Sequence, residues 1–179
     1  MPSADGSPRR PWIRYVAADA SPLIGLAIAG AFDLLRELYG TLTITRLVKD
    51  EITARADLPG APELETAMRA GWIRVAPTPL DTWKLTQIDA GEASTIALAC
   101  AHEQALVLMD DTQGCEQAST LGLQTTGLTG VLLAAKRAQL VERIRPIVER
   151  LTRRGFTIPE ATLRATLAEA AELEPGEAR

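Results

Sequence analysis

Histidine is almost missing from this chain: His102 is the only one in 179 residues. Catalysis or metal binding built on several imidazoles is therefore excluded. Two cysteines, Cys100 and Cys115, make neither a zinc framework nor a disulfide pattern. Aromatic residues are 4% of the total against 46% hydrophobic, so the interior must be built from Leu, Ile, Val and Ala. An excess of positive charge is also lacking. The net charge is −4, which argues against a general nucleic-acid coat protein. No apolar run reaches the roughly 18 residues of a membrane helix. The start carries Pro2, Pro8 and Pro11 rather than the apolar centre of a signal peptide, so a cytoplasmic protein with no membrane partner is expected. Neither GxxxxGK[ST] nor a GxGxxG after the first strand occurs, which sets aside a P-loop and a dinucleotide site.

What is present is centred on residues 91–111, GEASTIALACAHEQALVLMDD. Ile96, Ala97, Cys100 and Ala101 recur at helix spacing. Ala105 to Met109 then read as a short buried strand that ends in Asp110 and Asp111. Upstream, residues 1–11 read as a disordered tail and Ile13 to Ala18 as a strand ending at Asp19. Ser21-Pro22 reads as an N-cap and N1 pair opening a helix to Ala31. Phe32 to Tyr39 continues as a second helix, stopped by Gly40. TLTIT is a second strand, and Thr45 is placed to cap the helix after it. In that helix Leu47, Val48 and Ile52 form an apolar stripe that also draws Glu51 inward.

Pro62 to Ala70 reads as a short helix, Trp72 to Val75 as a candidate edge strand, and residues 77–90 as a loop. Residues 112–121 are helix-like, Leu123 to Thr125 a further strand, and Leu128 to Ala138 an apolar helix. A last helix runs from Ile158-Pro159 to about Leu173. Strands alternating with helices define an α/β architecture with a parallel sheet.

Asp19, Glu51, Glu92 and Asp110 or Asp111 share one logic. Each follows a strand or sits near the start of a helix, and in a parallel sheet these places lie along one edge. Carboxylates gathered there repel unless a cation sits among them, and hard oxygen donors suit Mg²⁺ or Mn²⁺. Such ions promote phosphodiester hydrolysis without a histidine. Each acid also has a plain alternative: Asp19, Asp110 and Asp111 as helix caps, Glu51 as a solvated side chain, Glu92 as an ordinary first-turn acid. Ser21 and Thr126 are candidates for supporting the acids, with turn or capping roles as their alternative.

Lys136 to Arg154 holds seven cations against two acids, a net of +5. Lys136, Arg137 and Arg143 are its first three, read either as RNA contacts or as a solvated helix face.

These residues carry a resemblance. YVAADASPLIGLAIAG, LLRELYGTLTITRLVKDEI, PGAPELETAMRAGWIRV, DAGEASTIALA with LVLMDD, and LGLQTTGLTGVLLAAKRAQL occur in the order found in PIN-domain proteins. They are most similar to the DUF3368 branch, related to VapC-like toxin nucleases, over roughly residues 13–158. The resemblance implies a three-layer α/β/α fold with a central parallel sheet and an acid site for Mg²⁺ or Mn²⁺ that hydrolyses RNA. It gives a tail at 1–11, a PIN-like domain at 12–158 and a C-terminal helix and tail at 159–179. Matched by motif, it makes Asp19, Glu51 and Glu92 three of the catalytic acids and metal ligands and takes the fourth from the Asp110–Asp111 pair; both stay candidate metal ligands, with Asp111, two residues beyond the strand, favoured as the catalytic one. One departure is Cys115, where this branch usually carries arginine after the aspartate pair.

Two functions follow. One is a metal-dependent endoribonuclease hydrolysing RNA, for which the resemblance implies the role of toxin in a toxin–antitoxin pair with an antitoxin protein as partner. The other is a catalytically weak or inactive PIN-fold module that binds RNA or a protein partner. The apolar helices at 23–31 and 128–135 suggest a homo-oligomer.

Overall fold

The computed structural model describes residues 13–54, 59–79 and 87–174. The expected tail at 1–11 and residues 80–86 of the expected loop at 77–90 lie outside them. Five strands alternate with helices: β1 (Tyr15–Ala18), β2 (Leu42–Thr45), β3 (Ile73–Ala76), β4 (Ala105–Leu108) and β5 (Gln124–Thr126). All pair in parallel, in the order β3-β2-β1-β4-β5. The candidate strand at 72–75 is thus real and occupies an edge. The chain steps outward from β1 through β2 to β3, then returns to lay β4 on the other side of β1. The sheet therefore reverses its winding between β1 and β4, the place where such sheets form a crevice beyond the strand ends.

Alternation along the central strands produces the layers. Val16 and Ala18 of β1, with Leu106 and Leu108 of β4, face the larger core. Ala17, Ala105, Val107 and Met109 face the smaller one. The smaller core is covered by α5 (Ala90–Cys100) and α6 (Thr112–Thr120). The larger is covered by α1 (Ala20–Ile28), α2 (Leu34–Tyr39), α3 (Arg46–Thr53), α4 (Ala61–Arg69), α7 (Leu128–Arg137), α8 (Arg145–Arg153) and α9 (Glu160–Glu169). The result is a three-layer α/β/α fold.

Leu23, Leu26, Leu128 and Leu132 are fully buried in this core. Each contributes about 2 kcal/mol by leaving water. The apolar surplus on α1 and α7 is covered within the chain, in part by α8 and α9, so it carries no argument for a second copy. Among the described residues, no helix is long and apolar enough to cross a membrane.

The helix after β1 begins earlier than the Ser-Pro signal suggests. Ala20 opens it and Asp19 is its N-cap residue, with extended backbone. Pro22 is then the third helical residue. The first four amides of a helix have no partner within it, so proline there sacrifices no bond. Gly40 ends α2 at φ 74°, a left-handed conformation that favours glycine.

Candidate functional site: a carboxylate edge

β1 and β4 end side by side. Asp19 donates its backbone N–H to Leu108 O at 2.9 Å, and Met109 and the two aspartates follow. Asp19 is 5% exposed, and its Oδ1 has no hydrogen-bond partner. Burial drives its pKa up to about 7. The Ala20 N–H opposes the shift, and the charges of Glu51, Asp89 and Glu92 add to it. A carboxyl in this position takes a proton or a cation in place of the water it has lost.

Glu51 comes from α3. Thr45 caps that helix by accepting the Val48 N–H at 3.3 Å, as its place after β2 suggested. The inward stripe is narrower than the sequence implied. Val48 and Ile52 are buried, whereas Leu47 is 38% exposed and Glu51 is exposed. Glu51 sits about 100° round the helix from Ile52, on the flank rather than the core face. It reaches the acid edge from the rim. Partial burial raises its pKa, and the charge of Asp89 raises it further.

Glu92 comes from α5, which opens with a reciprocal cap. Asp89 Oδ1 accepts the Glu92 N–H at 2.9 Å, and Glu92 Oε2 accepts the Asp89 N–H at 3.3 Å. Glu92 is 9% exposed. Burial raises its pKa, with further pushes from Asp89 and Asp111. Asp89 is a further acid at this edge that the strand-end argument missed. Its signal was in the sequence as Asp89-x-x-Glu92, the spacing of a capping box.

The aspartate pair divides. Asp110 Oδ1 accepts the Leu128 N–H at 2.8 Å and so holds the start of α7. Burial raises its pKa, and that bond pulls against it. Gly127 is required beside it, because a Cβ there would collide with Asp110 Oδ1. Asp111 is the N-cap of α6, accepting the Gly114 N–H at 2.8 Å. Its charge is felt by Glu92, which places it with the other acids. Cys115 lies beside this group. Burial raises its thiol pKa, Thr125 opposes, and Asp110, Asp111 and Glu92 reinforce the rise.

Of the supporting candidates, Ser21 is exposed in the first turn of α1. Thr126 is half-buried at the end of β5, with Gly130 close against its hydroxyl. The hydroxyl that organises the edge is a different one. Ser94 of α5 meets Thr45 at 2.7 Å and donates to Gly91 O at 2.7 Å.

The basic stretch is committed elsewhere. Lys136 and Arg137 stand at the last turn of α7, the end away from Leu128 and Asp110. Lys136 binds Glu172 Oε1 at 2.5 Å, and Arg137 pairs with Glu169. Arg143 comes within 4.0 Å of Glu172, and the Arg145 side chain donates to Glu172 O. These cations fasten the C-terminal segment rather than flank the acids.

Acid donors are the right chemistry for Mg²⁺ or Mn²⁺, and Asp19 Oδ1 is open to one. Among the described residues, however, no three His, Cys, Asp or Glu side chains stand arranged as a metal site.

A three-layer fold with a parallel sheet, and acids gathered where its winding reverses, defines a PIN-like α/β/α domain. The DUF3368 family model, described as a PIN domain, matches residues 15–172, and the chain belongs to that family. The match extends through α9 to Glu172. No curated protein and no solved structure matches the chain.

Proposed function

We propose that this chain is a PIN-fold module that binds RNA or a protein partner and in which hydrolysis is weak or absent. The observation that carries this reading is the employment of its carboxylates. Asp89, Glu92, Asp110 and Asp111 each accept a backbone N–H at a helix start. Two further features support it. The cations that would grip a phosphate backbone, Lys136 and Arg137, are paired with Glu172 and Glu169. Cys115 stands where the family usually places arginine, and it brings no positive charge to an edge crowded with acids.

A second reading, a metal-dependent endoribonuclease, is favoured by Asp19. Its buried, partnerless oxygen beside Glu51 and Glu92 is a costly feature for a site that binds nothing. In that reading Asp19, Glu51, Glu92 and Asp111 hold Mg²⁺ or Mn²⁺, which supplies electrophilic activation of a phosphodiester. Thr45 and Ser94 fix the spacing of the two helices that carry Glu51 and Glu92. The toxin role and its antitoxin belong to this reading.

One experiment separates the two. The protein and an Asp19→Asn control are incubated with a mixed RNA pool in Mn²⁺, Mg²⁺ or EDTA. No cleavage beyond the level of the Asp19→Asn control in any of these conditions supports the module. Cleavage by the wild type alone, stopped by EDTA, supports the nuclease.

A further inference from the structure

A cavity of about 610 Å³ lies at the end of the sheet away from the acids, where β4 and β5 begin. Roughly 10 Å of β4 separates the two places. The size suits a small organic molecule. Ile13, Leu121 and Leu123 supply apolar walls, and His102, Gln104 and Gln124 supply polar groups. None of the described residues around it is Lys, Arg, Asp or Glu, so a charged ligand would find no ion pair there. Leu121 is 51% exposed, which leaves apolar surface beside the cavity uncovered.

His102 is held in one orientation. Its ring stacks on Tyr15, with centroids 3.6 Å apart and planes 7° from parallel. Its Nδ1 lies 2.9 Å from Leu98 O. A carbonyl only accepts, so Nδ1 carries the hydrogen and Nε2 of the neutral ring is an acceptor. Tyr15 does not line the cavity, so what His102 has left for it is the second ring face and the Nε2 edge. Gln104 adopts φ 55°, the left-handed region that favours glycine, yet the position keeps a long amide side chain and lines the cavity. Each amide offers both donors and an acceptor.

We propose that this cavity binds a nucleobase, taken either from a free nucleoside or from an unpaired residue of RNA. A base is a flat, uncharged heterocycle with donors and acceptors along its edge. Such bases stack on aromatic side chains, histidine among them, and are hydrogen-bonded along their edges. His102 supplies the stacking surface, Gln104 and Gln124 the edge contacts, and the apolar walls cover the rest. The site does not depend on whether the acid edge hydrolyses RNA.

Cys100 gives the test its readout. It lines the same cavity with an exposed thiol, whereas Cys115 does not line it and serves as the internal reference. The full chain is treated with N-ethylmaleimide alone, or with the four ribonucleosides, their 5′-monophosphates or short single-stranded RNA of mixed sequence. Mass spectrometry of the two cysteine peptides follows each rate. A ribonucleoside or the RNA should protect Cys100 and leave Cys115 unchanged, and a 5′-phosphate should add little. His102→Ala should weaken protection at least about fivefold, the worth of one stacked base. Gln124→Ala should weaken it about threefold or more, the worth of one hydrogen bond. Both side chains are exposed, and circular dichroism verifies that the variants fold.

Protection by RNA but not by nucleosides supports the site with a base held as part of a strand. Protection by nucleosides but not by RNA supports it with a free nucleoside. The proposal is overturned if nothing protects Cys100, if both variants are protected like the wild type, or if protection requires the 5′-phosphate.

Discussion

Thr45 donates its hydroxyl proton to Ser94 across 49 residues of sequence, and the direction of that 2.7 Å bond follows from their other partners. Ser94 spends its single proton on Gly91 O, so in the pair it can only accept. Thr45 in turn accepts from Val48 N. The relay joins the start of α3, which carries Glu51, to the first turns of α5, which carry Asp89 and Glu92. Both hydroxyls are wholly buried.

Removing the relay should therefore loosen the acid edge and the fold together. Ser94→Ala is expected to cost about 1–2 kcal/mol, because it leaves a buried hydroxyl partner unmatched. Thr45→Val should cost a similar amount, roughly 1 kcal/mol of it from the lost cap. Urea unfolding of both single variants and the double variant checks this. The double should cost clearly less than the sum, since both remove the same bond.

Asp19 should make stability fall as pH rises. Its folded pKa is about 7 against an ordinary value of 3.8. The native state then holds a proton that the unfolded chain has released, so unfolding free energy declines from about pH 4 to pH 7. Above about pH 7 this contribution is flat. Asp19→Asn should remove the decline and melt higher than the wild type at pH 8. Added Mn²⁺ should oppose the decline in the wild type, because a cation takes the ionised carboxylate. Melting curves from pH 4 to pH 8, with and without Mn²⁺, read both effects.

Glu172 tilts the profile in the opposite direction. It is 7% exposed and accepts from Lys136 Nζ, Ile144 N and Arg145 N. Burial alone would raise its pKa, but Lys136 and the two amides outweigh that and hold it below 4.5. Its contribution is therefore complete above its unfolded pKa and lost as pH falls below it. Glu172→Ala should destabilise by about 2–3 kcal/mol, less than a fully buried pair because Lys136 is partly solvated. Since Glu172 closes the junction of α7, α8 and the segment after α9, the loss should appear first as proteolysis beyond residue 144.

Gly127→Ala should be poorly tolerated. The new methyl group would collide with Asp110 Oδ1 and break its bond to Leu128 N. A loss of about 1–3 kcal/mol is expected from the displaced buried acceptor. Chemical denaturation measures it. Gly122→Ala is a contrasting control. Its Cβ would meet nothing within 4 Å, so any cost there is the strain of φ 75° alone.

Much of this fold was legible in short-range pattern. Four-residue apolar strands between helices announced a parallel sheet, and Thr45 and Gly40 marked helix ends by their own chemistry. The acids were legible as strand-end and helix-start residues. What escaped depended on where helices turn in space. Glu51 looked inward because it neighbours Ile52, yet its rotation about α3 sets it on the flank. Ser21-Pro22 resembled a helix start, but a proline is equally free anywhere in the first turn. Lys136, Arg137 and Arg143 formed a basic run in sequence. Only the return of α9 showed that buried Glu172, with Glu169 at the surface, sits opposite them. Asp89 was overlooked because it follows no strand. Its place among the acids shows only in three dimensions, where its charge acts on Asp19, Glu51 and Glu92.

The central claim is a PIN-fold module whose carboxylates are engaged at helix ends and whose hydrolysis is weak or absent. Its most direct test is RNA cleavage by purified protein in Mn²⁺, with Asp19→Asn and EDTA as controls. RNA should stay intact in Mn²⁺, with cleavage close to the level of the Asp19→Asn control. Strong cleavage by the wild type, abolished by EDTA and absent from Asp19→Asn, would contradict it and establish the endoribonuclease instead.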